Sequence, residues 1–482
     1  MVSIRAAAPL VMLLLSGCVV GPDHTAPEIA LPSKFAEGGA KSNGDVSTQQ
    51  WWKAFSDTRL NGYVKQGLDQ NLDILQAMER INQAEADVIA AGAGGLPSLT
   101  LSSSADRSGA KGFRGSAGTT PKTLVSGGLQ GSWLLDFFGL YSRSKQAALA
   151  KLDAADASVD TARLTLLSQV VAAYIDVRYY QERISLARQN LKSRNETLSL
   201  TKLQLEAGAA SRLDVVQSEG LVNSTLATIP AYETAHRQAA HRVATLLGLP
   251  ASSLLADLQR GERQPTARIN ASAGVPADLI RNRPDIRAAE RQLAAAVANV
   301  GVAEAQLYPS ISLGGSITPS FTRFNGGSDN HLLSWSFGPT LNLPIFDGGQ
   351  LRANLSANES LAREAYLAWK QTVLSGVEEV QNALAALSRD GRTVSALRAT
   401  VNSYQEALTL ATASYRDGAS SLLDVLDAQR NVSDAQGNLA QAVQQMAQNY
   451  VSLSVATGGG YAVGKGPATR GPTVVAAKSL KK

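Results

Sequence analysis

The segment GAASRLDV at residues 208–215 recurs as GASSLLDV at residues 418–425, an offset of 210 residues. A related pair upstream, LPSLTL at 96–101 and YPSISL at 308–313, is separated by 212 residues. Two apolar ladders with a spacing of seven are also related by the 210-residue offset: Ile184, Leu191, Leu198 and Leu205, and Val394, Val401, Leu408 and Tyr415. These similarities at nearly one offset indicate a tandem duplication of a unit of about 210 residues.

A spacing of seven keeps apolar residues on one side of a helix and predicts a left-handed supercoil. The two ladders lie in segments without proline, about 140–207 and about 350–417. At 1.5 Å per residue, each segment is predicted to be one helix of roughly 100 Å. A plain fibrous coiled coil is one interpretation. Because Ala, Ser and Gln fill many remaining positions, each helix can contact neighbours on two sides, which favours a closed ring of helices.

Each long helix is followed by the same turn signal. A glycine ends the helix, a serine follows three residues later, and an aspartate comes three residues after the serine: Gly208, Ser211 and Asp214, and Gly418, Ser421 and Asp424. Glycine is the usual helix stop, and Ser-x-x-Asp is a variant of the capping box. The return helices are predicted over about 212–247 and 422–457, so each repeat contains a long helical hairpin with a tight tip.

The segments ahead of the long helices alternate between apolar and small polar residues. From Leu333 to Leu343 the odd positions are apolar and the even positions are Ser, Gly, Thr or Asn. Weaker alternation begins at Leu99, at Val125 and at Ser310. This period of two is typical of transmembrane β-strands, although a half-buried sandwich strand would look similar. Pro339 does not fit this pattern, because proline has no backbone N–H to donate to a neighbouring strand.

The segments at about 108–121 and 322–331 are rich in Gly and Ser and are predicted to be exposed loops that join the strands of each pair. Four strands cannot close a barrel, and unpaired backbone is not tolerated in lipid. Several chains are therefore expected to pool their strands, and three chains would supply twelve.

Composition excludes several classes of protein. The chain has 44% hydrophobic and 18% charged residues, a net charge of +5 and one cysteine. Its apolar runs fall short of the roughly 20 residues of a membrane-spanning helix, which argues against a polytopic helical membrane protein. One cysteine rules out a disulfide scaffold. Basic residues are not clustered on one face, so no nucleic-acid partner is predicted.

The N-terminus carries a secretory signal. Arg5, the apolar run 11–15 and two small residues precede Cys18,. Leu-Ser-Gly-Cys at 15–18 resembles the bacterial lipobox, which implies that residues 1–17 are removed and that Cys18 carries diacylglycerol and an N-acyl chain. These lipids are the only cofactor expected, and two or more acyl chains give a firm anchor. The same resemblance implies sorting to the outer membrane, because the residue after the cysteine, Val19, is not Asp. An ordinary signal peptide with an incidental cysteine is the alternative.

The tandem repeat, paired β-hairpins, helical hairpins, Gly-x-x-Ser-x-Leu-Asp-Val tips and lipobox together resemble the TolC-type outer membrane factor family. RNRPDIR at 281–287 and WWKAF at 51–55 are similar to segments of its lipoprotein, NodT-like branch of RND-type drug efflux channels. The resemblance implies a mixed α and transmembrane β fold. In this fold, a trimeric 12-stranded β-barrel with four strands per chain is continued by a long α-helical coiled-coil barrel.

The resemblance also implies a function. A homotrimer in the outer membrane of a Gram-negative bacterium, with a long periplasmic part, would passively conduct drugs or other small molecules. A periplasmic adaptor, or membrane fusion, protein would dock at the tips, and an inner-membrane RND-type pump would supply the energy. Two alternatives remain open: an outer-membrane channel of type I protein secretion, and a non-pore, lipid-anchored structural coiled coil. The exported compounds, the adaptor and the pump are not specified by the sequence.

Site residues at the tips follow from the resemblance. The predicted gate residues are Asp214, Asp424, Asp427 and Tyr415. In a trimer, each of the three aspartates would form a ring of three carboxylates that attracts cations. Asp214 and Asp424 could instead serve only to cap the return helices. Some members carry an arginine where this chain has Ser420, and Arg416 and Arg212 are the candidate substitutes. Adaptor contacts, which could instead serve only to form the turns, are predicted at Gly208, Ser211, Leu213, Gly418, Ser421 and Leu423.

The predicted organisation is a signal peptide (1–17), an N-terminal lipid-anchored segment with the first helices (18–95), repeat 1 (96–250), a connector with a helix (251–307), repeat 2 (308–457) and a disordered tail (458–482),. The segment Arg281–Asp285 is interpreted as structural, because Pro284 suits the first position of a helix.

Enzyme signals are weak. GGYAVGK at 459–465 lacks the following Ser or Thr of a phosphate loop, and His236 and His241 are five residues apart, so they cannot chelate together on a helix,. Neither an enzyme nor a metal site is predicted.

Overall fold

The computed structural model describes residues 19–37, 43–113, 119–261, 263–267, 274–325 and 327–463. A 3-10 helix at Trp51–Phe55 comes first. The elements that follow are α1 (Thr58–Gln70), α2 (Leu72–Ala93), β1 (Ser98–Ala110), β2 (Thr119–Leu135), α3 (Leu140–Glu206), α4 (Arg212–Leu246), α5 (Leu255–Leu258), α6 (Pro276–Asn282), α7 (Pro284–Ala305), β3 (Ser310–Phe324), β4 (Asn330–Asn342), α8 (Gln350–Arg416) and α9 (Leu422–Ala456).

The chain divides into two compact units, each built from three segments. The first unit contains the sheet and combines Met1–Ile29, Met78–Ala157 and Arg287–Gln371. The second contains both helical tips and combines Ala30–Ala77, Ser158–Ile286 and Thr372–Lys482. Among the described residues, none of the helices is apolar over a length sufficient to cross a membrane.

The helices repeat the duplication seen in the sequence. The long helices α3 and α8 have 67 residues each, and the return helices α4 and α9 have 35 each. All eight ends lie within one residue of the predicted bounds. The predicted fold class, mixed helical and β with four strands per chain in a tandem repeat, is confirmed for the chain.

The four strands form one antiparallel sheet in the order β1-β2-β3-β4, so β1 and β4 are its edges. Register places Leu101, Leu129, Ile317 and Trp335 in one row across the sheet, and all four are exposed. Polar residues occupy the opposite face, where serine hydroxyls pair across neighbouring strands at 2.9–3.1 Å. The sheet therefore has one apolar and one small polar face, as the alternation predicted.

The prolines of the sheet are tolerated for different reasons. Pro339 lies in β4, an edge of the sheet, where a missing N–H costs least,. Pro319 lies in the central strand β3, and the ladder to β2 skips two positions there, between the Ser126–Ser320 and Leu129–Ile317 pairs. The predicted loops at 108–121 and 322–331 were too long, because the strands continue to Ala110 and Phe324 and begin again at Thr119 and Asn330.

An aromatic cluster in the second unit holds the start of the predicted tail. Trp51 donates from Nε1 to the carbonyl of Gly459 at 3.1 Å, and Tyr461 is buried. The amide of Gly460 also donates to the carbonyl of Val46 at 3.2 Å. Residues 458–463 are therefore packed, contrary to the disorder predicted from position 458, and residues 464–482 lie outside the described residues.

Candidate functional site

The two tips are built by the same backbone turn. Gly208 and Gly418 have φ of +75° and +73°, the left-handed region that favours glycine,. The residue after each glycine donates to a carbonyl five residues back, Ala209 to Gln204 at 2.7 Å and Ala419 to Ser414 at 2.8 Å. This is the Schellman arrangement, which satisfies the free carbonyls at the end of a helix. A side chain on either glycine would meet nothing within 4 Å, so the requirement is conformational.

The tip carboxylates at 214 and 424 cap the return helices. Asp214 Oδ2 accepts from the backbone and hydroxyl of Ser211, both at 2.8 Å, and the amide of Asp214 donates back to Ser211 Oγ. Asp424 Oδ2 accepts from the backbone and hydroxyl of Ser421 at 3.1 and 2.9 Å. The capping role is therefore present at both tips. The gate role remains a prediction.

The third predicted gate carboxylate has a different setting. Asp427 lies one turn beyond the cap, its side chain is 63% exposed, and it pairs with Arg430 of the same helix at 3.1 Å. An exposed pair of this kind contributes less than about 1 kcal/mol to stability. Asp427 therefore presents a carboxylate with no capping role at the tip.

Tyr415 is a core residue of the tip. It is buried in an apolar cluster with Leu422, Val425 and Leu426, and Leu200 packs against that cluster. Its hydroxyl donates to the buried Thr201 Oγ1 at a long 3.5 Å. The predicted gate tyrosine thus joins the second tip to the long helix of the first repeat. The sequence analysis missed Thr201, since no pattern distinguishes it from other hydroxyl residues of α3.

The predicted adaptor contacts differ in exposure. Leu213 and Leu423 are 64% and 54% exposed, whereas Leu422, next to Leu423, is buried. Exposed leucines at two equivalent tip positions form a surface that a partner could cover. Within the described part of the chain, neither candidate substitute for the missing tip arginine, Arg416 or Arg212, forms an ion pair with an acidic side chain.

The segment Arg281–Asp285 has the structural role that was predicted. Pro284 is the first residue of α7, and Arg283 is buried beside it. Arg283 contacts Asp285 at 2.7 Å and also pairs with Glu379 of α8. Burial would lower the pKa of Arg283, but hydrogen bonds to the two carboxylates raise it. The arginine therefore stays charged and joins α7 to α8 in the second unit.

The segment that follows Cys18 is fixed in the first unit. The amide of Val20 donates to the carbonyl of Phe138, just beyond β2, at 3.2 Å. Arg143 of α3 donates to the carbonyls of Val20 and Gly21 at 3.0 and 2.9 Å and to the carboxylate of Asp23 at 2.8 Å. Residues 20–23 therefore lie at the junction of the sheet and α3. Residues 1–18, which include the predicted signal peptide and Cys18, lie outside the described residues.

Two helix caps near the sheet were missed by the sequence analysis. Asp136 accepts from the amides of Tyr141 and Ser142 at the start of α3, at 3.1 and 2.8 Å. Asp347 accepts from the amides of Gly349 and Leu351 at the start of α8, at 2.9 and 2.7 Å. An aspartate shortly before each long helix, at nearly the repeat offset, was the available signal.

Comparison with known proteins gives four findings. The family model described as outer membrane efflux protein matches the chain over residues 63–249 and 275–459, once in each half. The nodulation protein T of Rhizobium leguminosarum bv. viciae is 54% identical, over 98% of this chain and 97% of the relative. The outer membrane protein OprJ of Pseudomonas aeruginosa is 33% identical, over 95% of this chain and 96% of OprJ. The solved outer-membrane channel OprN has a TM-score of 0.82 at 32% identity, covering 92% of this chain and 100% of that channel.

Proposed function

Because this chain belongs to the outer membrane efflux protein family, we propose that three copies form the exit duct of a tripartite efflux system for small molecules. An outer-membrane efflux channel is the function common to its relatives. In the proposed system, the trimer works with a periplasmic adaptor protein and an inner-membrane RND-type pump. In this assembly the duct is passive, and the pump supplies the energy.

The observation that carries the proposal is the open sheet. Within the described residues, its edge strands β1 and β4 have no second neighbour, and its apolar face is exposed. Unpaired edges and exposed apolar faces are unstable in water, and unpaired edges are unstable in lipid. Pairing β4 of one copy with β1 of the next would satisfy every edge, and three copies give a twelve-stranded barrel. The apolar face would then contact lipid and the serine-rich face would line the lumen.

The adaptor is proposed to bind at the tips. Exposed Leu213 and Leu423 supply apolar contact area there, beside turns held by Gly208 and Gly418. Capped helix ends give a rigid surface, and rigid surfaces bind with less ordering cost.

Lipidation of Cys18 is part of the proposal. Val19, which lies against Gly139 shortly after the end of β2, directly follows Cys18 in the sequence. Acyl chains on Cys18 would start at the membrane edge of the barrel. Replacing Cys18 by Ser should abolish incorporation of labelled palmitate, and equal labelling of parent and variant would refute the lipid anchor.

The test of the main proposal is single-channel recording from purified protein in planar bilayers, together with export in a strain that lacks its own channel. Three-chain conducting units and restored resistance to exported small molecules are expected. Absence of conductance, even after the tip carboxylates are replaced by Ala, would favour the non-pore scaffold. Restored release of a protein substrate, with no effect on small molecules, would favour type I secretion.

A further inference from the structure

A cavity of about 580 Å³ in the second unit lies between α3, α4 and α9. Its lining includes three arginines, Arg183 and Arg194 from α3 and Arg430 from α9, and Asp434 is the single carboxylate among the described lining residues. Hydroxyl and amide groups contribute much of the remaining polar surface, among them Asn190, Ser224, Thr228 and Tyr232. Arg430 also pairs with Asp427, outside the lining, in an exposed ion pair at 3.1 Å. The net positive charge of the cavity therefore comes mainly from Arg183 and Arg194, and the cavity has many hydrogen-bond donors.

The central feature of this cavity is a buried arginine that forms no ion pair with a carboxylate among the described residues. Arg194 is only 7% exposed. It donates to the carbonyl of Leu221 at 3.3 Å and to the hydroxyl of Thr225, while its buried Nε has no hydrogen-bond partner among the described residues. Burial lowers the pKa of Arg194, and the charge of Asp434 opposes this effect without forming an ion pair within 4 Å. A buried cation with an unused donor is costly unless an anion compensates it.

The second arginine has room made for it by a glycine. Arg183 lies over the ring of Tyr232 at 4.8 Å and donates to the hydroxyl of that tyrosine. A Cβ atom on Gly437 of α9 would lie 2.6 Å from Arg183 Nη1. The glycine inside α9 therefore allows the guanidinium group to occupy the wall of the cavity.

The duplication provides an internal comparison. At the offset of 210 residues, Arg183, Arg194 and Arg430 correspond to Thr393, Tyr404 and Gly220, and Gly437 corresponds to Ala227. Arg183 and Arg194 belong to repeat 1, Arg430 and Gly437 belong to repeat 2, and none of the four is repeated at the equivalent position of the other half. They are not a by-product of the shared hairpin architecture.

We propose that this cavity binds a small oxyanion, such as phosphate, between the guanidinium groups of Arg183, Arg194 and Arg430. Guanidinium groups present paired N–H donors that match the oxygen spacing of phosphate and carboxylate groups. A bound oxyanion would join α9 to the α3–α4 hairpin. Arg194 precedes Gly208 by fourteen residues, or about 21 Å of helix,. The anion would therefore stabilise the packing of the tip-proximal helices, a role independent of the export function.

The test is isothermal titration of the full-length protein in detergent with inorganic phosphate, at constant ionic strength set with chloride. Saturable binding is expected, with sulfate competing and chloride not, together with a rise in Tm that follows the occupancy of the site. Replacement of Arg194 by Met should weaken phosphate binding by about tenfold or more. Gly437→Ala should weaken it as well, although no charge is removed, because the added methyl group displaces Arg183.

The matched control is Arg398→Met, an exposed arginine of α8, which should bind phosphate like the parent. If Arg194→Met fails to fold, Gly437→Ala and Arg183→Gln give the same test. The proposal is overturned if the parent shows no saturable phosphate binding. It is also overturned if the cavity variants bind phosphate as tightly as Arg398→Met.

Discussion

At the scale of single residues, the tip motif contains side chains with different functions. Asp424 is engaged in a cap, Asp427 is exposed beside the cap, and Tyr415 is buried beneath it. The sequence groups these three residues in one motif, but their surroundings assign capping to the first and core packing to the last. The gate role predicted for Asp427 would not compete with a capping role, because its side chain is exposed and, among the described residues, pairs only with Arg430 of the same helix.

The two aspartates should respond differently to replacement by Ala. Asp424→Ala removes the acceptor of the Ser421 N–H, the N3 half of the capping box, and should lower stability by about 1 kcal/mol,. Asp427→Ala removes an exposed ion pair and should change stability by less than about 1 kcal/mol, yet reduce block of the channel by Mg²⁺. Thermal denaturation and single-channel recording of both variants separate the effects. Unchanged block in Asp427→Ala and in the double variant would leave these residues without a gate function.

Packing, rather than its hydroxyl, should account for most of the contribution of Tyr415. Its hydrogen bond to Thr201 is long at 3.5 Å, whereas its ring is buried among leucines and a valine. Tyr415→Phe should therefore keep nearly all stability, and Tyr415→Ala should cost about 3–5 kcal/mol. Denaturation followed by far-UV circular dichroism measures both. A large loss in Tyr415→Phe would show that the hydroxyl matters more than this geometry indicates.

At the scale of elements, local chemistry explains what could be predicted. Glycine stops and serine caps fix the ends of α3, α4, α8 and α9 except the starts of α3 and α8, which Asp136 and Asp347 cap. The sequence located all eight ends within one residue. The alternation located the strands but not their ends, because Gly and Ser suit both exposed strands and loops. The family, confirmed by the comparisons, was identified from the same local motifs.

Contacts between distant segments could not be predicted. The pairing of Arg283 with Glu379, the bond from Trp51 to Gly459 and the path of Val20 beside Phe138 each join residues far apart in sequence. A single chain carries no periodic signal for such pairs. The packed residues after Gly458 were misassigned for this reason, since their Gly-rich composition resembles that of a tail.

The attachment of the N-terminal segment to α7 should depend on pH. His24 contacts Glu290 at 2.6 Å, and Arg291 also donates to that carboxylate. Burial would raise the pKa of Glu290, but the hydrogen bonds from Arg291 and His24 lower it below its ordinary value. A lowered carboxyl pKa gives stability that is complete above about pH 4.3 and is lost as the pH falls through the folded-state pKa.

Hydrogen exchange of residues 19–29 at a series of pH values checks this dependence. Protection in the parent should be constant above about pH 4.3 and decrease as the pH falls below that value. Glu290→Gln should show weaker protection at neutral pH and a flatter profile. A steep acid-induced loss in Glu290→Gln, equal to that in the parent, would assign the effect to another group.

At the scale of the whole molecule, the two faces of the sheet decide whether the chain forms a duct. Trp335 and Ser336 are neighbours on β4 and point to opposite faces, the first in the apolar row and the second in a serine pair with Ser316. Both side chains are exposed in one chain, so burial within the chain does not distinguish them. In an assembled barrel the two side chains would differ, because lipid would surround Trp335 and water would surround Ser336.

An arginine at each of these two positions tests the barrel directly. Trp335→Arg places a charge on the proposed lipid face and should cost about 2–4 kcal/mol near the bilayer midplane, reducing the yield of assembled channels. Ser336→Arg places the same charge on the proposed lumen face, where water solvates it, so assembly should persist and conductance should shift toward anions. Membrane fractionation and reversal potentials measure the two outcomes. If Ser336→Arg blocked assembly while Trp335→Arg changed ion selectivity, the polar face would lie toward lipid and the proposed barrel would be wrong.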